Sequence, residues 1–113
     1  MLFRLIEKTV ESKSVTAPSN SPSVDVGSVG GDSIVFQLNA TAASSPNTAS
    51  ITLQGSLDGT NYVVIGSSVT VAANGVFAVS QDRPVYRYYR VAYAIASGSY
   101  TAQLLVLVKG DKQ

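Results

Sequence analysis

Apolar and polar residues alternate with period two along most of the chain, and no segment keeps a helical period. The clearest segment is 33–40, where Ile34, Phe36 and Leu38 occupy every second position. Such alternation places the apolar side chains on one face of a β-strand. Similar segments recur about every 8–12 residues with turn-forming residues between them, as in antiparallel β-sandwiches. The pattern predicts an all-β fold, a single antiparallel β-sandwich of about eight strands with jelly-roll or immunoglobulin-like connectivity.

A turn motif organises the middle of the chain. Asp58-Gly59 lies at the centre of Gly55-Ser56-Leu57-Asp58-Gly59-Thr60-Asn61-Tyr62, between two alternating segments. Asp followed by Gly tolerates positive φ at both central positions of a type I′ turn. The motif therefore predicts a tight hairpin over residues 49–65, with Ile51, Leu53 and Leu57 on one face.

The N-terminal segment differs in composition from the rest of the chain. Residues 2–16 combine β-forming residues with much of the charge, and they predict an edge strand or an extended arm. The two prolines in residues 17–22 predict a loop, because proline cannot donate to a ladder. We therefore divide the chain into an N-terminal arm or edge strand with its loop, 1–22, and a β-sandwich domain, 23–113.

Several later elements follow from the same pattern. Residues 42–47 predict a loop, and strand 76–80 is expected to pair back onto strand 68–72. Residues 85–95 predict the longest strand. The last strand is apolar on both faces over 104–108, which indicates either a central strand covered twice or an edge covered by a neighbouring molecule.

The strand over 85–95 is rich in aromatic residues and holds four of the six tyrosines. Alternation assigns one face to Val85, Arg87, Tyr89, Val91, Tyr93 and Ile95, and the other to Tyr86, Tyr88, Arg90, Ala92 and Ala94. We predict that the first face packs in the core from Tyr89 onward. Three interpretations of the second face stay open: a solvated sheet surface, a protein interface rich in Tyr and Arg, or a platform that stacks sugar rings or bases.

Composition excludes most catalytic chemistry. The chain has no His and no Cys, which removes the commonest general base and the thiol nucleophiles and metal ligands. The carboxylates show no acid–base pairing and no calcium-loop spacing, so we expect no enzyme, no metal and no cofactor. A net charge of +1 argues against nucleic acid and anionic membranes as partners.

Charge is also unevenly distributed. Charged residues make up 13% of the chain, about half the usual share. Asp58 is the only charged residue between Ser33 and Gln81. A surface this neutral indicates either that a partner covers part of it or that the domain carries Ser, Thr and Asn on its surface in place of charge. The apolar run at the N-terminus is too short for a signal peptide, and no segment is long enough to span a membrane, so we expect synthesis and folding in a cytoplasm.

The turn motif and the run Tyr88-Tyr89-Arg90-Val91 together resemble small β-rich structural proteins of tailed bacteriophages. In those proteins a similar hairpin precedes a similar aromatic strand, with Trp at the position of Tyr62. The resemblance covers about residues 33–108 and implies a head-decoration (cement) protein on the virion capsid surface. Related sandwiches also occur in tail components and carbohydrate-binding modules, so the fold does not choose among these roles.

We therefore expect a capsid decoration protein that stabilises the head shell by binding across neighbouring capsid subunits. Its expected partners are the major capsid protein and further copies of itself, through strand-edge pairing and aromatic contacts. The candidate contact residues are Phe3, Leu5, Tyr86, Tyr88 and Arg90. The alternatives are a sugar-binding module, with a glycan bound on the tyrosines, and a phage tail or adaptor component.

Overall fold

The computed structural model describes residues 2–26, 33–82 and 86–112, which form β-strands and no helix. None of the described residues belongs to a helix that could cross a membrane. The strands are β1 (Leu2–Val15), β2 (Ser19–Asn20), β3 (Val24–Asp25), β4 (Ser33–Asn47), β5 (Ser50–Ser56), β6 (Val63–Thr70), β7 (Gly75–Asp82), β8 (Tyr88–Ala94) and β9 (Ser97–Lys112).

The strands form two antiparallel sheets packed face to face. One sheet has the order β1-β9-β4-β7, and the other has β2-β8-β5-β6, with β3 also paired to β8. Successive strands alternate between the sheets except at β2–β3 and at the β5–β6 hairpin. If β2 and β3 count as one interrupted strand, this is jelly-roll connectivity. The predicted fold class, a single antiparallel β-sandwich, is confirmed.

The core lies between the two sheets and is built by the alternation seen in the sequence. Ile34, Phe36 and Leu38 of β4 are fully buried, while Gln37 between them is exposed. On β8, Tyr89 and Val91 are buried in the same way, which confirms the predicted core face of that strand. Burial of these side chains is the main stabilising term, at roughly 25 cal/mol per Å² of apolar surface.

Two buried tyrosines of β8 also join the sheets by hydrogen bonds. The Tyr89 hydroxyl donates to Oε1 of Gln81 on β7 at 2.7 Å. The Tyr93 hydroxyl donates to Oε2 of Glu11 on β1 at 2.8 Å. Each aromatic ring thus fills the core while its polar end reaches the opposite sheet.

The predicted tight turn at Asp58-Gly59 is wrong. β5 ends at Ser56 and β6 begins at Val63, so a six-residue connection replaces a two-residue turn. Positive φ occurs at Gly59 (78°) but not at Asp58, which excludes type I′ geometry. Leu57, expected on the same face as Ile51 and Leu53, is 70% exposed because it lies beyond the end of the strand.

Other loops in the prediction are parts of strands. Residues 42–47 belong to β4, which continues against β9 through two register shifts. Residues 66–68 form an irregularity inside β6, since Leu53 pairs with Ile65 and Ile51 with Val69. Within the predicted loop 17–22, Ser19–Asn20 pairs with β8.

Strand pairing and length also differ from the prediction. β7 does not pair back onto β6; it crosses to the other sheet and pairs with β4. The longest strand is β9, with 16 residues, whereas β8 spans only Tyr88–Ala94. Positions 83–85, including the predicted start of that strand, lie outside the described residues.

The apolar last strand is central. β9 lies between β1 and β4, and its inward-facing Leu104 and Val106 are buried against the second sheet. Its other face carries Leu105 and Leu107, which are only partly buried on the outer surface. β1 is an edge strand hydrogen-bonded to β9 from Leu2 to Val15. The predicted domain boundary at residue 22 stays a prediction.

Candidate functional site: a tyrosine–arginine surface

The 57–62 connection is held in one conformation by Asp58. Its Oδ1 accepts hydrogen bonds from the backbone N–H groups of Thr60 and Asn61, both at 2.8 Å. Its Oδ2 accepts from Nδ2 of Asn61 at 3.0 Å. These hydrogen bonds favour the ionised carboxylate and hold the pKa of Asp58 far below its ordinary value of 3.8, with the largest effect from the backbone N–H groups. The connection therefore stays ordered although it is exposed.

Ser56 fixes the other side of the same connection. Its side chain is 1% exposed, and its Oγ accepts from the backbone N–H of Gly59 at 2.9 Å. The same hydroxyl donates to Oδ1 of Asp58 at 2.9 Å. Short polar side chains that bond the backbone two or three residues ahead make compact turns. This turn sets the direction in which the chain enters Tyr62.

Tyr62 then stacks on Arg90. The Arg90 guanidinium carbon lies 3.7 Å from the centre of the Tyr62 ring, and Nε of Arg90 donates to Oε1 of Gln54 at 2.8 Å. The Tyr62 hydroxyl is hydrogen-bonded to the Ser23 hydroxyl. A cation held over an aromatic ring is favourable electrostatically. The loop, β8, β5 and the segment before β3 are thereby fastened together.

Tyr88 and Arg87 form a second pair beside the first. The Arg87 guanidinium lies 5.3 Å from the Tyr88 ring centre. Arg87 also donates to both carboxylate oxygens of Asp25, at 3.2 and 3.1 Å, and this bond raises the pKa of Arg87. A Cβ at Gly59 would lie 3.4 Å from the Tyr88 ring, so the turn rests on that ring. We call Tyr62, Arg87, Tyr88 and Arg90 the tyrosine–arginine surface.

The predicted placement of Tyr86 beside Tyr88 and Arg90 is wrong. Tyr86 precedes β8, and its ring is packed edge-on against Tyr89 with centroids 6.1 Å apart. A Cβ built on Gly55 would lie 2.6 Å from Cδ2 of Tyr86, so the ring covers the core side of Gly55. Alternation applies only within a strand, and Tyr86 lies before this one.

The structure brings Tyr88 and Arg90 together and adds Tyr62 and Arg87 to them. Sequence reasoning missed Tyr62 as a member because its contact with Arg90 joins distant parts of the chain. The turn motif itself contained the signal, since Tyr62 ends it.

Phe3 and Leu5 lie elsewhere. Their backbones pair with Asp111 and Lys109 in the four-stranded sheet, on β1 rather than on β8. Their side chains lie outside the described part of the structure. The candidate residues are therefore divided between two sheets, and their roles as partner contacts stay predictions.

The outer face of the four-stranded sheet carries a shallow depression of about 450 Å³. Its floor is mainly apolar, with Val35 of β4 and Leu105 and Leu107 of β9, and polar side chains of Lys8, Thr9 and Gln37 lie around it. It contains no acid–base pair, and among the described residues no group of three carboxylates could hold a metal ion. Like the tyrosine–arginine surface, the depression is a surface on which another molecule could pack.

No protein-family profile and no curated protein matches the sequence of this chain. Solved structures do match its fold. The SPBc2 prophage-derived protein YomS has a TM-score of 0.61 at 14% identity, over 97% of this chain and 96% of that chain. A protein of the Bacillus endospore appendages, described as a novel family of disulfide-linked pili, has a TM-score of 0.50 at 10% identity, over 98% and 93%. At these identities the likeness shows a shared fold.

Proposed function

We propose that this chain is a structural protein of a bacteriophage virion, a capsid decoration protein that binds across neighbouring capsid subunits. The observation that carries the proposal is the tyrosine–arginine surface, an ordered group of Tyr and Arg side chains on an otherwise weakly charged sandwich. Tyr and Arg are the residues most enriched among those that dominate binding energies. Their side chains are already held in place, so little conformational entropy is lost on binding.

The fold comparison supports a structural role of this kind. One neighbour is a prophage-derived protein, and the other belongs to an assembled appendage. Disulfide links of the pilus type have no counterpart here, because the chain has no cysteine. Assembly would therefore rest on noncovalent contacts. The protein would be made in the host cytoplasm and carried on the capsid surface, with the major capsid protein as its partner.

Geometry favours protein contact over sugar binding. Sugar rings stack on open aromatic faces, whereas a face of Tyr62 is covered by Arg90. Nε of Arg90 in turn donates a hydrogen bond to Gln54. A glycan would have to displace these internal contacts, while a protein partner can pack against the group as it stands. The sugar-binding module is therefore the weaker alternative.

The first experiment is quantitative mass spectrometry of gradient-purified particles from the source phage. A copy number in the hundreds supports decoration of the head shell. A copy number that fits a single ring overturns decoration in favour of a tail or adaptor component. Absence from purified particles overturns the virion proposal as a whole.

Point variants then test the surface itself. Particles lacking the protein are mixed with purified chain, and bound protein is measured after sedimentation. We expect Tyr88→Ala or Arg90→Ala to weaken binding at least tenfold, because truncation of a central Tyr or Arg costs about 2 kcal/mol or more. The exposed Thr70→Ala on β6 serves as the matched control and retains binding. Unchanged binding in both surface variants contradicts the proposal.

The N-terminal contacts need point variants as well. Deletion of 1–16 would remove an edge strand paired along its whole length with β9, so a loss of binding would not be specific. The double variant Phe3→Ala, Leu5→Ala leaves the backbone pairing available. We expect it to weaken particle binding, with the thermal midpoint measured alongside as the check on folding; full binding would exclude these two side chains from the interface.

A further inference from the structure

The two lateral sides of the sandwich differ in how their edge strands are protected. β1 is the edge of the four-stranded sheet on one side, and β7 is its edge on the other. In the second sheet, β2 and β3 lie on the first side and β6 on the other. Free strand edges invite pairing with other chains unless charges, bulges, prolines or very short strands block it.

The β1 side carries these protective features. β1 holds the charged residues Lys8, Glu11 and Lys13, and its register shifts between Thr9 and Glu11. β2 and β3 each have only two residues, and Pro22 lies between them. A further strand could not pair along this side without facing the charged residues of β1 and following its register shift.

The β6/β7 side, residues 63–82, lacks charge protection. It has no charged residue from Val63 to Gln81. The large hydrophobic side chains that are exposed in the described chain are Leu57, Val63, Val64 and Val76, all on these strands or in the connection before β6. β6 is interrupted at Gly66, but β7 pairs with β4 without a shift from Asp82 to Gly75. β7 therefore presents an even edge whose only charged residue, Asp82, lies at its end.

We infer that the β6/β7 side is an interface between two copies of this chain, in which β7 pairs antiparallel with β7 of the second copy. Two-fold symmetry makes identical strands antiparallel, and a strand without charge from Gly75 to Gln81 meets its own copy there without like-charge repulsion. The four-stranded sheets of the two copies would then form one continuous sheet. Since β6 lies on the same side, its exposed Val63 and Val64 would also approach the second copy.

Side-chain alternation restricts the register. Val76, Ala78 and Ser80 are exposed on the outer face, whereas Phe77 and Val79 face inward. Directly opposed residues must lie on the same face of a sheet. The two-fold axis must therefore pass between one residue and the same residue of the second copy. If that residue is Ala78, then Val76 lies opposite Ser80 of the second copy. In this register Asp82 lies opposite Asn74, so the two Asp82 carboxylates stay apart.

Sedimentation velocity of the purified chain, from micromolar to submillimolar concentration, tests the interface without any capsid. We expect reversible dimerisation, abolished by Ala78→Lys and unchanged by Ser12→Lys on the protected β1 edge. Ala78 and Ser12 are both exposed, so either lysine leaves the fold intact, which thermal unfolding checks. A parent chain that stays monomeric throughout this range overturns the inference.

The absence of cysteine permits a register test. A thiol at position 78 would meet its own copy at about 4.5–5.5 Å between Cα atoms, within the range for a disulfide. We expect Ala78→Cys to form a covalent dimer on mild oxidation, whereas Ser12→Cys stays monomeric. Equal crosslinking of the two variants contradicts pairing at β7. Because both tests use isolated protein, their failure is distinguishable from failure of the capsid proposal.

Discussion

At the scale of single residues, Asp58 contributes most to the order of the candidate site. One carboxylate accepts hydrogen bonds from two backbone N–H groups and two side chains within the same turn. All of these bonds favour the ionised form. The ordered turn also packs Gly59 against the Tyr88 ring and leads into Tyr62, which stacks on Arg90.

The depressed pKa of Asp58 gives a pH prediction. Because the pKa is lower in the folded protein, the carboxylate stabilises the fold above its ordinary pKa of 3.8, and this contribution is lost as pH falls below that value. We expect Asp58→Ala to be less stable than the parent at neutral pH, with the gap closing in acid. Urea unfolding at successively lower pH measures this gap. A gap that is constant with pH would show that the carboxylate charge plays no part.

At the scale of elements, the start of β8 decides which tyrosines share a face. Tyr88 lies within the strand and contributes to the outer surface, whereas Tyr86 precedes it and packs over Gly55. Gly55 is buried on β5 directly beneath that ring. The absence of a Cβ at this position is what lets the ring approach.

A methyl group at position 55 should therefore displace Tyr86. The Cβ of Gly55→Ala would lie 2.6 Å from Cδ2 of Tyr86 and 2.9 Å from Cδ1 of Ile65. We expect a loss of about 1–3 kcal/mol in the free energy of unfolding, as for other overpacked sites. Chemical denaturation measures it.

A double-mutant cycle assigns the cause. In a Tyr86→Ala background the clash with the ring is absent, so Gly55→Ala should cost clearly less. An unchanged cost would mean that Ile65 or the strand backbone, rather than Tyr86, resists the added methyl group.

β1 is joined to the opposite sheet by the side chains of Glu11 and Tyr93, with the Lys13 ammonium beside them. The Tyr93 hydroxyl donates to Glu11, while Lys13 lies 4.8 Å from the Tyr93 ring centre and 3.6 Å from the Glu11 carboxylate. We expect Tyr93→Phe to lose about 1–3 kcal/mol, because a hydrogen bond to a charged acceptor is removed. Urea denaturation measures the loss. Glu11→Gln, which keeps an acceptor, should cost less; an equal or larger cost contradicts this role of the hydroxyl.

At the scale of the whole molecule, stability depends on tyrosines that remain neutral in the core. Burial, followed by the hydrogen bond to Glu11, raises the pKa of Tyr93 well above its usual value, and burial raises the pKa of Tyr100 to about 12. Ionisation of either group requires a charge to enter the apolar interior or the fold to open.

The sandwich should therefore unfold in alkali. With pKa values raised in the folded state, these tyrosines contribute stability fully below their ordinary pKa of 10.0, and the contribution is lost as pH rises above it. We expect the free energy of unfolding to fall above pH 10, together with the rise of tyrosinate absorbance.

Tyr100→Phe provides the comparison. The Tyr100 hydroxyl is buried without a hydrogen-bond partner among the described residues, so its removal should cost little at neutral pH. The same variant should lose stability less steeply in alkali than the parent. An identical slope would exclude Tyr100 from the transition.

The local pattern of apolar and polar residues was enough to predict the class of fold and most of the core. Alternation is a local property, and it placed Ile34, Phe36 and Leu38 inside β4 and Tyr89 and Val91 inside β8 without knowledge of their neighbours. Turn residues marked several strand ends for the same reason, but residues 42–47 continue β4. Local chemistry also located the Asp58 turn, although its length and geometry were predicted wrongly.

Strand order and the composition of the candidate site depend on contacts that no local pattern predicts. Whether β7 returns to β6 or crosses to β4, and whether β9 is central, depends on contacts between distant segments. The stacking of Tyr62 on Arg90 and the separation of Tyr86 from Tyr88 have the same origin. Alternation states which side chains share a face, but the partner of that face is fixed by the free energy of packing the whole chain, which no local pattern contains.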